Sequence, residues 1–261
     1  MNPLFAISND LTRIAYDVSG TGTPLILLHG GGGSRADWDE AGYVARLSRE
    51  FTVITVDLRG HGESDKPADP ACYTTEKMGR DILTVADACH TERFILCGYS
   101  FGGNVGRYLA ASSGRISRMV MLGNRMAGAS NEHRQFIFDF RARWAPVVEA
   151  ASGGAFDPKF LSQKDQDDLQ ALSFPGELLP SVLAWSTAML DWGTVAPADI
   201  RCPTLWLIGS ENDKALESFK EYEQELPGSN VQVRMLEGMN HVQEFENIEQ
   251  VLPIILDFVK S

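Results

Sequence analysis

Between Cys97 and Gly103 the chain reads CGYSFGG, directly after the apolar run RFILC and before a stretch of helix-forming residues. A turn that only redirects the chain needs one glycine. Here Gly98 precedes Ser100 by two residues, and Gly102 and Gly103 begin two residues after it. Small residues at those positions let a strand and a helix approach closely around a sharply strained serine, whose hydroxyl is then lifted clear of the sheet. The helix that follows aims its N-terminus, with its partial positive charge, at the same point. This suits a nucleophile in acyl transfer.

A serine hydroxyl is a weak nucleophile and needs a base, itself oriented by a third group. In a strand–turn–helix nucleophile scaffold the chain order is serine, acid, histidine. Of the histidines at 29, 61, 90, 133 and 241, only His133 and His241 follow Ser100. His133 lies in the polar stretch SNEHRQ, whereas His241 lies in LEGMNHVQEFE, a loop after the last expected strand. The base is therefore assigned to His241. The acid belongs beyond the strand PTLWLIG, where Glu211, Asn212 and Asp213 follow one another. Asp213 is the choice and Glu211 the alternative; Asp213 could also simply cap the helix DKALESF. The turn after RMVMLG carries Asn124 and Arg125 and offers no carboxylate. Donors for an oxyanion are expected from the N–H of Phe101 and from the glycine loop HGGGGS, at Gly31. No phosphate-binding Lys-Ser/Thr pair follows those glycines, which excludes a P-loop. His29 and His61 are expected to position loops by hydrogen bonds.

The elements that must hold these groups are legible as short apolar runs. LFAIS and TRIAYDVSG, the latter followed by GTGTP, suit an antiparallel pair. PLILLH, FTVITV, ERFILC, ISRMVML, PTLWLIG and NVQVRML are nearly continuous apolar strands, as in a parallel sheet covered on both faces. Helical patterns alternate with them, so the fold class is α/β. Leu216, Phe219 and Tyr222 mark one amphipathic face. In IEQVLPIILDFVK, Pro253 implies a helix that starts late or is kinked. Between Asn124 and Pro197 no strand pattern occurs, and six Phe and three Trp accumulate. Residues 124–197 are therefore assigned to a helical cap inserted into a core of residues 1–123 and 198–261.

The chain has 261 residues and a net charge of −12. That acidity argues against a nucleic-acid or anionic-membrane surface. Cysteines at 72, 89, 97 and 202 form no C-x-x-C pair, so neither a zinc site nor a disulfide framework is expected, and Cys97 and Cys202 read as buried thiols. The start MNPLFAISND has no basic, apolar leader and no window reaches the length of a membrane span, so a cytoplasmic location is expected.

LLHGGGGSRADWD, VDLRGHGESDKP, GYSFGG, LIGSEND and GMNH together resemble the α/β-hydrolase fold superfamily over nearly the full chain. The resemblance implies a mostly parallel eight-stranded sheet, a helical cap after strand six, and cofactor-free hydrolysis through an acyl-enzyme. Serine at 100 argues against the dehalogenases and epoxide hydrolases of this fold, which use aspartate there. One departure stands out: relatives often place the acid three residues after the strand's glycine, and here Gly209 plus three is Asn212. The expected substrate is a small carboxylic ester or lactone, with no metal or cofactor. Arg125, Trp144 and Trp185 are the candidate substrate contacts, Arg125 for a substrate carboxylate. Rival readings are a C–C bond hydrolase on the same triad and a weakly catalytic ligand receptor.

Overall fold

The strand residues alternate between two cores, as the two-residue period of a strand requires. Ile26 and Leu28 face one cluster, and Leu25 and Leu27 face the other. The computed structural model describes residues 3–126, 128–150, 156–172 and 174–261. Its strands are β1 (Leu4–Ile7), β2 (Arg13–Ser19), β3 (Thr23–Leu28), β4 (Phe51–Val56), β5 (Phe94–Tyr99), β6 (Ile116–Leu122), β7 (Thr204–Gly209) and β8 (Val231–Leu236). They form one eight-stranded sheet in the order β1-β2-β4-β3-β5-β6-β7-β8. β1–β2 and β2–β4 pair antiparallel, and every other pair is parallel. The expected mostly parallel α/β-hydrolase architecture is therefore present.

The helices are α1 (Asp37–Glu40), α2 (Tyr43–Leu47), α3 (Thr75–Ala88), α4 (Phe101–Ser112), α5 (Asn131–Ala150), α6 (Gln163–Ala171), α7 (Leu179–Met189), α8 (Asp213–Tyr222), α9 (Gln243–Glu246) and α10 (Ile248–Lys260). One face of the sheet is covered by α3, α4 and α8 together with α5 and α7. The other is covered by α1, α2 and α10. α10 begins five residues before Pro253 rather than at it. Among the described residues only helices and loops lie between β6 and β7. No described helix is long and apolar enough to cross a membrane.

Because the central strands are parallel, the loops after β3, β5, β6, β7 and β8 leave the same edge of the sheet, where α/β folds gather their reactive groups. The loop after β4 is fixed against that edge by ion pairs. Arg59, with a fully buried guanidinium, binds Asp81 of α3 through Nε at 2.8 Å and Nη2 at 2.7 Å, and reaches Asp10 at 2.5 Å. Arg59→Met would leave the buried Asp81 carboxylate unpaired, and is expected to cost about 3–5 kcal/mol of stability, read from urea unfolding.

Candidate active site

Ser100 occupies the turn between β5 and α4 with φ 50° and ψ −112°, a region that residues with a side chain rarely enter. Its neighbours enforce this. A Cβ on Gly98 would lie 2.6 Å from the backbone of Gly102, and one on Gly102 would lie 2.6 Å from the carbonyl of His29. The strand and helix can cross so closely only without side chains there. Gly102 N–H donates to His29 O, tying the elbow to the end of β3.

His241 lies in the loop after β8, and its Nε2 is 3.1 Å from Ser100 Oγ. The Tyr99 ring stacks on the imidazole at 5.2 Å, and its hydroxyl donates to His241 O. The structure thus brings together the serine and the histidine singled out from sequence.

Asp213 is not their partner, which corrects the expected acid. It is the first residue of α8 and is exposed. Asn212 is the N-cap, its Oδ1 accepting from Ala215 N–H at 3.2 Å. Capping turns residue 212 inward and residue 213 outward. Glu211, the alternative, is also exposed. The carboxylate beside His241 belongs to Glu244, three residues further along the chain and fully buried. Its Oε2 is 3.5 Å from His241 Nδ1, an ion-pair distance longer than a normal hydrogen bond. Asn212 Nδ2 donates to Glu244 Oε1 at 3.1 Å and Oε2 at 2.9 Å, and Gly209 N–H donates to Oε1. The carboxylate fills the space between the ends of β6 and β7. A Cβ on Gly123, where φ is +67°, would come within 2.5 Å of Oε2, and one on Gly209 within 2.9 Å of Oε1.

Asn212 Nδ2 also lies 3.3 Å from His241 Nδ1. For Nε2 to accept the serine proton, Nδ1 must carry a hydrogen, and an amide N–H cannot accept it. The amide orientation is itself fixed, since exchanging its atoms would set Oδ1 against a carboxylate and Nδ2 against the Ala215 N–H. Among the described residues Glu244 is the acceptor nearest Nδ1–H, and Asn212 holds Glu244 in place.

Gly31, in the loop after β3, lies beside the elbow. A Cβ there would be 3.6 Å from Phe101 Cβ and 3.4 Å from the Trp185 ring. Gly31, Phe101, Ser100 and His241 line one cavity of about 870 Å³. Trp185 lines it too and packs against Phe101 at 4.8 Å. Trp144 does not line it. It is buried on α5 beside Phe140, so its aromatic bulk serves packing. Arg125 lines a smaller adjoining cavity.

The two loop histidines are buried with ring hydrogen bonds. His29 Nε2 accepts from Leu58 N–H at 3.0 Å, and His61 Nδ1 contacts Arg59 O at 3.1 Å. His61 also stacks on Trp185. Burial lowers both pKa values, that of His61 to about 3. Below pH 6.5 the unfolded chain therefore binds protons that the native state refuses, so stability falls as pH drops from about 6.5 toward 3 and is flat above. His61→Phe is expected to reduce this slope, by up to about 1.4 kcal/mol per pH unit, in urea midpoints measured between pH 4.5 and 7.5.

Comparison with known proteins agrees with this frame. The chain is 40% identical over 99 residues to an uncharacterized protein of Mycobacterium tuberculosis, an alignment that spans 38% of this chain and 28% of that relative. It is 30% identical over 167 residues to 2-hydroxymuconate semialdehyde hydrolase of Pseudomonas sp., covering 62% of this chain and 56% of the relative's length. In structure it is similar to the enol-lactonase of Burkholderia xenovorans LB400, with a TM-score of 0.74, 22% identity, and 99% and 100% of the two chains covered. A family model described as the alpha/beta hydrolase fold matches residues 23–251, and with that match the chain belongs to the α/β-hydrolase fold family.

Proposed function

We propose that the protein is a serine hydrolase that cleaves a small carboxylic ester or lactone through an acyl-enzyme. The observation that carries this reading is the 3.1 Å contact between His241 Nε2 and the strained Ser100 Oγ, inside a cavity large enough for a small molecule. His241 takes the Ser100 proton as Oγ attacks the substrate carbonyl. The N–H groups of Gly31 and Phe101 receive the tetrahedral oxyanion. The imidazolium then protonates the departing alkoxide, and water deprotonated by the same nitrogen attacks the acyl-serine and releases the acid. Through both steps Glu244 keeps Nδ1 protonated and stabilises the positive ring. Asn212, three residues after Gly209, occupies the position at which relatives often carry the acid.

Steady-state turnover of a panel of short p-nitrophenyl esters tests the activity. A burst of p-nitrophenol equal to the enzyme concentration is the expected mark of the acyl-enzyme. Absence of turnover on every ester and lactone tried would favour the receptor reading. C–C bond hydrolysis is the second reading, supported by the 30% identity to a hydrolase of a semialdehyde. A vinylogous keto acid turned over faster than any ester would move the assignment there.

A further inference from the structure

A small cavity of about 40 Å³ adjoins the main one, and Asn104, His133 and Met189 line both. Two arginines complete it. Arg107 of α4 is only 1% exposed, yet among the described residues it meets the carbonyls of Met126 and Val195 and the side chains of Tyr108 and Tyr222, with no carboxylate among them. Arg125 donates to the carbonyl of Lys214 and reaches one carboxylate, the exposed Glu217, at 3.5 Å. Arg107 Nε, Arg125 Nε and Asn104 Oδ1 are all buried without a hydrogen-bond partner. A buried guanidinium without a counter-charge is costly, and the cost falls when an anion reaches it. No carboxylate of this chain lines the small cavity among the described residues.

The main cavity carries charges of both signs: Asp37, Glu40 and Glu246 line it from α1 and α9, and Lys214 and His133 line it from α8 and α5. Burial, and the charges of Lys214 and Arg125, lower the His133 pKa, and a neutral imidazole still donates one N–H. The leaving group must sit within reach of His241, which protonates it, so the acyl chain extends the other way. Asn104 lies one helical turn beyond Ser100, and Arg107 lies about 10 Å along the α4 axis from it, at 1.5 Å per residue. That span suits an acyl chain of a few carbons ending in a charged group, and the small cavity has room for one polar group rather than a chain.

We infer that the cavity bounded by Asn104, Arg107, Arg125 and His133 is a subsite for a carboxylate at the far end of the substrate's acyl chain. The substrate is then a monoester of a short dicarboxylic acid, or a lactone with a free carboxylate. This specificity rests on the Ser100 acyl-enzyme reading, but the anion site itself does not. A carboxylate there makes charge-assisted hydrogen bonds, preferably paired ones, with the planar guanidinium groups.

The experiment compares kcat/KM for p-nitrophenyl hydrogen glutarate and p-nitrophenyl valerate, which differ by a terminal carboxylate in place of a methyl group. The native enzyme is expected to prefer the glutarate ester about 10–100-fold. Arg125→Met and Arg107→Met should each reduce that ratio by about tenfold or more, and 0.5 M salt should reduce it less than it would for a surface site. Because Arg107 also holds two carbonyls, Arg125→Met is the deciding variant if Arg107→Met does not fold. A native ratio near one, or a ratio untouched by Arg125→Met, overturns the subsite. Calorimetry of glutarate and butyrate with Ser100→Ala separates the two layers. Glutarate binding that depends on Arg125, with no ester turnover by the native enzyme, retains the anion site and sinks the acyl-enzyme reading. Turnover of both esters at equal rates, with no glutarate binding, sinks the subsite and leaves the hydrolase reading standing.

Discussion

Ser100→Ala is expected to lower kcat on short p-nitrophenyl esters by on the order of 10⁵–10⁶, leaving only what the oxyanion donors and binding supply. It should also abolish labelling by a fluorophosphonate. The loss should be confined to kcat, because the hydroxyl makes no cavity when removed and its one side-chain hydrogen bond among the described residues is to the His241 ring. Stability is the control. An alanine at this position must keep the same φ of 50°, so the unfolding midpoint should hardly move. Ser100→Gly, equally inactive, should gain about 1 kcal/mol as that backbone strain is released. An alanine variant that still reacts with the probe at the native rate would remove Ser100 as nucleophile, whatever the other residues do.

Glu244→Gln is expected to cost about 10⁴ in kcat with KM little changed, the scale reached when the acid behind a catalytic histidine is made neutral. The amide would keep the shape and still accept from Asn212, but it can present its own N–H to His241 and so favour the wrong tautomer. Asp213→Asn, at an exposed helix start, should stay within a few-fold of native. The decisive variant exchanges the two roles. Asn212→Asp alone puts a second carboxylate about 3 Å from Glu244, a pair that must share a proton and should weaken the fold. Asn212→Asp combined with Glu244→Gln restores one charge beside Nδ1 and an amide to hold it, and should recover activity to within about tenfold of native. A purely structural Glu244 would give no such recovery. Crippling by Asp213→Asn would return the role to that residue.

The unequal fate of these residues in the sequence follows from the range of the forces that fix them. The elbow is legible because its requirement is local. Gly98 and Gly102 are needed where two backbones come within van der Waals contact, and that need is written within five residues of the serine. His241 is legible through chain order, since it follows the last strand of a sheet whose alternation of apolar runs and helices is already plain. Asp213 misleads because one residue at a helix start decides between the inside and the outside of the fold. Asn212 takes the N-cap, and the next side chain is left in solvent. Two signs point to Glu244: an amide, Asn212, where relatives often carry the acid, and a carboxylate three residues after the histidine, a spacing that shares a face in a helical turn. Neither can show that the ends of β6 and β7, at Gly123 and Gly209, leave a space that a carboxylate from another loop fills. The same holds for the tryptophans. Trp144 and Trp185 look alike in an aromatic-rich stretch, and the packing of their helices sends one into the core and the other over Phe101. Ser100 at its elbow, His241 and the sheet can be read from the chain, because each depends on neighbours a few residues away or on a repeating pattern. The carboxylate behind the histidine and the walls of the cavity cannot, because distances between elements remote in sequence are set when both faces of the sheet are packed.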